Sequence, residues 1–251
     1  MLSLRFDESL QKLLPCRYRE QTAIRYPLHR RASIKDIIES LHIPHTEIAS
    51  IRRAGRELPF THIPGSGERL VLTSFPRGTD VTRPTLLRPE PLPAPKFAVD
   101  VNVGKLARLL RLAGIDTWYQ ANVGEEELAR QAVASGRLLL SRNRDILRRK
   151  IVTWGRLVRH EQSEMQLTEV VNLYGLRESI VPFSRCLECN TLLLPVDKAA
   201  VLHRLEPLTR KYYHRFKRCP DCRRIYWQGS HHRRLLKIIA GLSLPDQKKP
   251  E

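Results

Sequence analysis

The sequence predicts an α/β protein in three parts: a small α+β module, a parallel sheet flanked by helices, and a small cysteine-rich module. Three observations support this organisation. A proline-rich segment follows residue 82, strand and helix patterns alternate through the middle of the chain, and two cysteine pairs lie near its end. Repeated strand–helix units are typical of parallel sheets. The predicted boundaries are 1–82 for the first module, 83–96 for a linker, 97–182 for the sheet and 183–240 for the last module.

The chain of 251 residues is strongly basic, with 44 Lys and Arg against 26 Asp and Glu and a formal net charge of +18. A basic surface attracts polyanions because binding releases their counterions. Nucleic acid is the first candidate partner, an acidic membrane surface is the second, and simple solubility is the alternative explanation. No apolar run approaches the roughly 20 residues of a membrane span, and the N-terminus lacks a secretory pattern. A cytoplasmic location without membrane attachment is therefore expected.

The first module has a strand–strand–helix–strand–strand pattern. The strands are "LSLRF", "TAIRYPL", "ELPF" and "RLVLTS", and the helix is "SIKDIIESL", with Ser33 as N-cap and Asp36 three residues on. This order suits a β-grasp, or ubiquitin-like, module. Because the module runs into the linker "PLPAPK", which prolines stiffen, it is expected to dock a protein partner. Cys16 is expected to be a small buried residue.

The middle segment predicts four strands and four helices. The strands are "KFAVDV", "IDTWYQ", "RLLLS" and "WGRLVRH". The helices are "VGKLARLLRLAG", stopped by Gly114, "EEELARQAVASG", stopped by Gly136, the short "RDILRRK", and "SEMQLTEVVNLYGL", with Ser163 as cap.

Oxygen-rich side chains follow the predicted strands. Asp100 follows the first, Glu125–Glu127 follow the second, Asn143 and Asp145 follow the third, and His160 and Glu161 follow the fourth. Ligands bind beyond the carboxyl ends of strands in open parallel sheets. Carboxylate and amide oxygens suit Mg²⁺ or Mn²⁺, and such an ion can activate a scissile phosphate. Nearby basic residues could hold phosphates: Lys105, Arg108, Arg142 and Arg144. These features predict a metal-dependent nuclease.

Each of these positions also has a structural explanation. Asp100 could start a helix, and Glu125–Glu127 would favour the first turn of a helix in any case. Asn143 could cap the short helix that Asp145 begins. A solvated turn accounts for Glu161 and Glu164.

Two C-x₂-C pairs indicate a zinc site. Cys186 and Cys189 form the first pair, and Cys219 and Cys222 form the second. Two such pairs complete a tetrahedral thiolate site. Disulfides are disfavoured in a cytosolic protein, and redox motifs come singly. A closed four-thiolate site is expected to be structural.

The basic, aromatic segment after the second pair is a candidate nucleic-acid surface. Aromatic rings can stack on bases, and arginines can meet phosphates. The alternative is that the two aromatic residues pack on the cysteine pair. The candidate residues are Arg223, Arg224, Tyr226, Trp227, His231, Arg233 and Arg234.

The chain resembles the mut-seven C-terminal RNase family, which joins a PIN-like nuclease domain to a zinc ribbon. The blocks that carry the resemblance span about residues 97–235 and are "FAVDVNVGKLARLLRLAGIDTWY", "EEELARQAVASGRLLLSRNRDILRR", "FSRCLECN" and "RCPDCRRIYWQGSHHRRL". Residues 1–82 resemble the ubiquitin-like domain that precedes the nuclease domain in some members. The resemblance implies a PIN-like fold, RNA cleavage and a Mg²⁺ or Mn²⁺ centre.

The acidic positions of the family carry over unevenly. The first acid matches Asp100, and the next positions fall on Gly124, Glu125 and Glu127. Asn143 replaces the usual carboxylate of the third block, and the late acid falls near Gln162.

The leading hypothesis is a hydrolytic, metal-dependent ribonuclease with a degenerate acidic set, whose ion is held by Asp100, Glu125 or Glu127, Asn143 and Asp145. The alternative is a catalytically weakened RNA- or ribosome-associated binding protein of the same architecture. A toxin-like nuclease is less consistent with the attached domains.

Overall fold

The computed structural model describes residues 1–229, 236–238, 240 and 241, and its strands form three separate sheets. Within these residues, no helix combines the length and the apolar character that crossing a lipid bilayer requires. The predicted α/β organisation, with a parallel sheet between an N-terminal sheet domain and a C-terminal cysteine cluster, is confirmed.

The first sheet has five strands in the order β2-β1-β5-β3-β4. The central pair, β1 and β5, is parallel, and the other pairs are antiparallel. Two short helices, α1 and α2, accompany this sheet. The bounds are β1 (Leu2–Phe6), α1 (Glu8–Gln11), β2 (Ile24–Tyr26), α2 (Ile34–Ser40), β3 (Ile48–Arg53), β4 (Arg56–Glu57) and β5 (Arg69–Ser74).

Helix α2 begins as its sequence predicts. The Ser33 hydroxyl accepts a hydrogen bond from the Asp36 backbone N–H, and the Asp36 carboxylate accepts one from the Ser33 N–H, which completes a capping box. Ile34, Ile37 and Ile38 face inward and are fully buried. The helix thereby covers the sheet with three branched side chains, each of which contributes roughly 1.5–3 kcal/mol on burial.

The second sheet is parallel throughout, with the strand order β7-β6-β8-β9. Each strand is followed by a helix. The bounds are β6 (Phe97–Val99), α3 (Gly104–Leu112), β7 (Thr117–Tyr119), α4 (Glu125–Ala134), β8 (Leu138–Ser141), α5 (Arg144–Arg148), β9 (Gly155–Leu157) and α6 (Ser163–Leu173). The left-handed φ of +86° at Gly114 ends the segment that contains α3, as glycine allows.

Helices cover both faces of this sheet. Because successive strand residues point to opposite sides, Phe97 and Val99 belong to the apolar cluster that includes residues of α3 and α6, whereas Ala98 belongs to the cluster that includes residues of α4 and α5. The second of these clusters also contains the core of the first module. The N-terminal module is therefore packed against the rest of the chain through a continuous apolar core.

The third sheet is a small antiparallel one, ordered β10-β11-β12. Two short helices lie in the segment between the cysteine pairs. The bounds are β10 (Leu194–Val196), α7 (Lys198–Val201), α8 (Pro207–Tyr212), β11 (Phe216–Arg218) and β12 (Ile225–Trp227).

Three local expectations need correction. Helix α6 begins at Ser163 itself, and Gln162 occupies the cap position without a side-chain hydrogen bond. The strand expected in "ELPF" is shorter and ends at Glu57, because the next residues include Pro59, which has no N–H to donate. Cys16 is exposed rather than buried.

A buried ion-pair network joins the first module to the second sheet. Glu47 has no exposed surface, and its carboxylate accepts hydrogen bonds from Arg156 Nη1 at 2.7 Å, Arg159 Nη2 at 3.0 Å and the Leu157 N–H at 2.8 Å. Arg156 also donates to Glu169 at 2.8 Å. Burial alone would lower the pKa of Arg156, but the charges of Glu47 and Glu169 raise it.

The segment between the first two sheets contributes a second buried arginine. Arg88 donates to the Ile48 carbonyl at 2.8 Å and to the Thr153 carbonyl at 3.1 Å, so it bridges both modules. Its guanidinium lies 4.6 Å from the ring centroid of Phe75 and 5.0 Å from that of Trp154. Burial lowers the pKa of Arg88 to about 10. This segment is therefore fastened to its neighbours on both sides.

We expect Glu47→Ala to lower the free energy of unfolding by about 3–5 kcal/mol, because it leaves two arginines at the interface without their shared carboxylate. Glu57→Ala is the matched control, since it breaks an exposed pair with Arg52 whose contribution is at most about 1 kcal/mol. Urea denaturation of both variants measures the difference. Equal effects of the two substitutions would show that the interface network does not stabilise the protein.

Candidate functional site

The carboxyl ends of β6 and β8 bring together Asp100 and Ser141. Asp100 directly follows β6, and only 5% of its surface is exposed. Its Oδ2 accepts hydrogen bonds from Ser141 Oγ at 2.6 Å and Asn102 Nδ2 at 2.8 Å. Within the described part of the chain, Asp100 Oδ1 has no hydrogen-bond partner. The carboxylate is therefore held in place through one oxygen, and the second oxygen makes no hydrogen bond within the described residues.

Asn143 connects this edge to the start of α4. Its Nδ2 donates to Glu125 Oε1 at 2.6 Å, while its Oδ1 accepts from the Asp145 N–H at 2.9 Å and so caps α5. The Asn143 N–H donates to Ser141 Oγ at 2.8 Å. The helix cap considered for Asn143 is thus a contact that this side chain makes, whereas its role as a metal ligand stays a prediction. We call the connected set Asp100, Asn102, Glu125, Ser141 and Asn143 the strand-end network.

The other two predicted acidic ligands are engaged elsewhere. Glu127 forms an ion pair with Arg130 at 3.1 Å, and Asp145 forms one with Arg148. Over the residues that the structure describes, no three Asp, Glu, His or Cys side chains other than the four cysteines bring their ligand atoms within 4.8 Å of one another. The metal-binding roles of Asp100, Glu125, Glu127, Asn143 and Asp145 stay predictions.

An open cleft of about 1060 Å³ lies next to the strand-end network. Asn102, which holds Asp100, lines it together with Lys105 and Arg108, two of the predicted phosphate-binding residues. Gln162, where the resemblance places a late acid, also lines the cleft. Its far wall is formed by Leu187 and Glu188 of the cysteine module.

Gly104 leaves room at this cleft for the ring of Tyr119, which also lines it. A Cβ added to Gly104 would lie 2.6 Å from the Tyr119 hydroxyl, so a larger residue at this position would displace that side chain.

A smaller cavity of about 320 Å³ continues from the cleft onto the cysteine module. Arg108, Leu187 and Glu188 line both cavities. Six further residues line only the smaller cavity, and three of them, Arg224, Tyr226 and Trp227, were predicted from the sequence to bind nucleic acid. The six are Arg204, Leu205, Arg224, Ile225, Tyr226 and Trp227.

The remaining predicted phosphate-binding residues have different surroundings. Arg142 is exposed and lies 3.5 Å from Glu161. Arg144 donates to the carbonyls of Leu13 and His42 in the first module. His231, Arg233 and Arg234 lie outside the described residues.

The four predicted cysteine ligands converge. Their sulfur atoms all lie within 4.8 Å of one another, and Cys186 Sγ is 3.6 Å from Cys222 Sγ. A tetrahedral zinc site with metal–sulfur bonds near 2.3 Å places its sulfurs about 3.8 Å apart. The four cysteines could therefore hold a metal ion such as zinc.

The two cysteine pairs have the same backbone geometry. In the first, the Cys186 carbonyl accepts from the Asn190 N–H at 3.0 Å; in the second, the Cys219 carbonyl accepts from the Arg223 N–H at 3.0 Å. Asn190 and Arg223 both adopt left-handed backbone conformations, with φ of 66° and 59°. Each turn thus directs two thiols toward a common point. Arg223 therefore has a structural role in the second turn. This role is independent of its predicted contact with nucleic acid.

Tyr226 supports the first cysteine pair. Its hydroxyl accepts from the Leu187 N–H at 3.1 Å and lies 3.1 Å from Cys186 Sγ. Burial raises the pKa of the Cys186 thiol, but hydrogen bonds, first that of Tyr226, lower it to about 7. Tyr226 therefore packs on the cysteine pair, and it also lines the smaller cavity, where its contact with nucleic acid stays a prediction.

Arg111 and Asn190 fix the cysteine module to the sheet. Arg111 is buried and donates to the carbonyls of Leu187 and Glu188, each at 2.8 Å, and to that of Thr117 at 2.9 Å. Asn190 accepts from the Thr117 N–H at 3.0 Å. Neither residue was predicted from the sequence as a functional residue, and neither was Ser141. The available signals were a basic residue among the apolar positions of α3 and a hydroxyl ending an apolar strand.

We expect Cys219→Ser to abolish zinc binding and to unfold residues 183–229 locally, because the buried thiol contributes a quarter of the ligand set. Cys16→Ser is the matched control, since Cys16 lies outside the cluster. Zinc content and limited proteolysis measure both effects. Full zinc content and unchanged protection in Cys219→Ser would rule out the four-cysteine site.

Two family models match the chain. One, described as the Mut7-C RNAse domain, matches residues 95–239, and the other, described as Mut7-C ubiquitin, matches residues 1–78. Searches of curated proteins and of solved structures found no significant match. The first family match covers more than half of the chain, and the two matches occur in the predicted order. The chain therefore belongs to the Mut7-C RNase family and carries a Mut7-C ubiquitin-like domain ahead of its RNase domain.

Proposed function

We propose that this protein is a ribonuclease that hydrolyses RNA phosphodiester bonds with a Mg²⁺ or Mn²⁺ ion at the carboxyl edge of its parallel sheet. The position of Asp100 carries the proposal. Its carboxylate follows a buried strand, is held through one oxygen by Ser141 and Asn102, and has a second oxygen free of hydrogen bonds within the described residues. Membership of the RNase family supports the same conclusion.

The donor set fits a hard cation that keeps several waters. Mg²⁺ sites of this kind use one or two carboxylates together with substrate phosphate oxygens. Asp100 would supply one carboxylate, and Glu125, held by Asn143, would supply the second. When bound, the ion would polarise the scissile phosphate and favour ionisation of a bound water. Glu127 and Asp145 would join only if their pairs with Arg130 and Arg148 opened.

The cleft and the smaller cavity beside it would hold the RNA. Lys105 would neutralise a backbone phosphate next to the strand-end network. Arg108 and Arg224 both pair with Glu188, at 2.5 and 2.8 Å, and would contact phosphates when these pairs open. The exposed parts of Tyr226 and Trp227 offer two aromatic surfaces for a single strand. The zinc ion has a structural role in this proposal, because it fixes the module that carries this surface.

The ubiquitin-like domain would also serve a protein partner. Its sheet has an outer face with Val71 exposed at the centre, between Arg5 of β1 and Arg52 of β3. Such an exposed apolar residue within a polar sheet face is a candidate contact for the partner predicted from the sequence.

A non-catalytic RNA-binding protein is the second candidate. The observation that favours it is the amide at Asn143, where the family pattern has a carboxylate, together with Gln162 in the cleft. Fewer carboxylates neutralise a divalent ion less completely, and its affinity falls accordingly.

Cleavage of a mixed RNA pool in Mn²⁺ distinguishes the two functions. We expect Asp100→Asn to lower the cleavage rate at least about 100-fold, because it removes a charge that would hold the ion. Glu126→Gln is the control: Glu126 lies beside Glu125 on the same helical turn but pairs with Arg130 at 3.3 Å. Wild-type RNA binding without cleavage, in all divalent ions tested, would establish the binding protein instead.

We expect Asn143→Asp to increase the thermal stabilisation of the protein by divalent ions. An aspartate can still cap α5, but it would place a second carboxylate against Glu125 and destabilise the metal-free protein by about 1 kcal/mol. A divalent ion between the carboxylates would reverse this repulsion. Thermal denaturation with and without Mn²⁺ should therefore give a larger increase in Tm for Asn143→Asp than for wild type. An equal increase would place the ion away from Asn143.

A further inference from the structure

A third cavity lies between the ubiquitin-like domain and the RNase domain. It has a volume of about 560 Å³, and its lining combines side chains from both domains. Arg17, Arg19 and His42 come from the ubiquitin-like domain, and Arg144 comes from the start of α5. Leu13 and Leu14 supply an apolar wall. No acidic side chain is among its lining residues, so we call it the basic interdomain cleft.

The arginines of this cleft lack carboxylate partners within the described residues. Arg17 is exposed, and its guanidinium lies 4.7 Å from the ring centroid of Tyr18. Arg19 is exposed and donates through Nε to the Leu14 carbonyl at 2.8 Å. The guanidinium groups of both side chains therefore have N–H donors that a ligand could accept from. Arginine offers five N–H donors in a fork that matches phosphate geometry.

Neighbouring positive charges favour the binding of an anion in the cleft. Burial lowers the pKa of Arg144, and the charges of Arg19 and Arg148 lower it further. Glu47 is the acidic group that counters this effect, but its carboxylate is occupied by Arg156 and Arg159. A concentration of positive charge without local compensation favours an anion from outside the protein.

The cleft lies next to the strand-end network. Arg144 is the residue after Asn143, whose N–H is joined through Ser141 Oγ to the Asp100 carboxylate by hydrogen bonds of 2.8 and 2.6 Å. Two hydrogen bonds and one peptide unit thus connect Arg144, which lines the cleft, to Asp100. This connection makes the substrate at Asp100 the anion that we consider for the cleft.

The two sides of the cleft are held in fixed positions. Arg144 Nη1 donates to the carbonyls of Leu13 and His42, each at 2.9 Å, so the RNase domain contacts the loop that carries Arg17 and Arg19. Nearby, Arg159 donates to the Ser9 hydroxyl at 2.8 Å. These contacts and the buried pair at Glu47 organise the cleft before any ligand binds, which lowers the entropic cost of binding.

We propose that the basic interdomain cleft binds backbone phosphates of the RNA substrate, so that the ubiquitin-like domain forms part of the substrate-binding surface. The inference rests on the proposed ribonuclease function, because it assigns to the cleft one end of the RNA that is cleaved at Asp100. In this proposal, Arg17 and Arg19 of the ubiquitin-like domain contact the strand in the basic interdomain cleft. Lys105 and Arg108 contact it in the cleft that Asn102 lines.

The test measures binding of a single-stranded RNA in the Asp100→Asn full-length protein without divalent ions, over a range of salt concentrations. We expect Arg17→Ala/Arg19→Ala to weaken binding about 5- to 30-fold. Each phosphate contact to a single strand contributes about 0.7 to the slope of log affinity against log salt, so the slope should fall by about 1.4. Arg17→Ala alone, which disturbs no backbone contact, should give about half of this change.

The matched control is Arg30→Ala/Arg31→Ala, which removes the same charge from exposed positions of the same domain that do not line the cleft. Equal weakening in the two double variants would overturn the inference, since only overall charge would then matter. Competition by inorganic phosphate or a mononucleotide at low millimolar concentration would also overturn it, because the cleft would then be a small-anion site.

The two proposals fail in different ways. If wild type cleaves RNA, Asp100→Asn does not, and Arg17→Ala/Arg19→Ala binds like its control, the inference is wrong and the nuclease stands. If the cleft variant alone loses RNA binding and wild type cleaves nothing, the RNA site is supported in a binding protein. Absence of any RNA binding by wild type would overturn both.

Discussion

The parallel pairing of β6 with β8 determines the position of the candidate functional site. Val99 pairs with Leu140, and the Asp100 N–H donates to the Leu140 carbonyl at 3.0 Å, so the chain leaves both strands at the same edge. Ser141 is thereby placed to donate to the Asp100 carboxylate. Because side chains alternate along a strand, a slip of one residue would move Ser141 to the opposite face. The strand-end network therefore depends on this register.

Buried arginines set the positions of the other two modules relative to this edge. Arg88 and Arg156 connect the ubiquitin-like domain to the RNase domain, and Arg111 connects the cysteine module to it. A guanidinium suits this role because its five donors can reach several carbonyls or carboxylates at once. Burying these charges is costly unless the donors are satisfied, so each arginine tolerates few alternative arrangements of the modules. The clefts between modules are consequently fixed features of the fold.

Local features of the fold were predictable, and contacts between modules were not. The capping box of Ser33 and Asp36 and the helix stop at Gly114 depend on residues a few positions apart. The alternation of strands and helices likewise fixes a parallel sheet. Asn143 shows the limit: its sequence context indicates a cap, but its contact with Glu125 depends on two elements meeting at the sheet edge. Arg144 shows a second limit. Its position after a strand end predicted a contact with RNA phosphates, whereas the contacts of its Nη1 with the Leu13 and His42 carbonyls depend on how the two domains meet.

The net charge of +18 overstates the charge on the outer surface of this protein, because it includes arginines that are buried. Arg88, Arg111 and Arg156 donate their hydrogen bonds to backbone carbonyls and buried carboxylates, so they contribute little positive charge to the surface of the protein. The basic groups considered for RNA binding are Lys105 in the cleft beside Asn102, and Arg17 and Arg19 in the basic interdomain cleft. Contacts between such groups and phosphates position a backbone without reading its sequence. In the proposed RNA complex, any preference for particular bases would come from Tyr226 and Trp227, which line the smaller cavity.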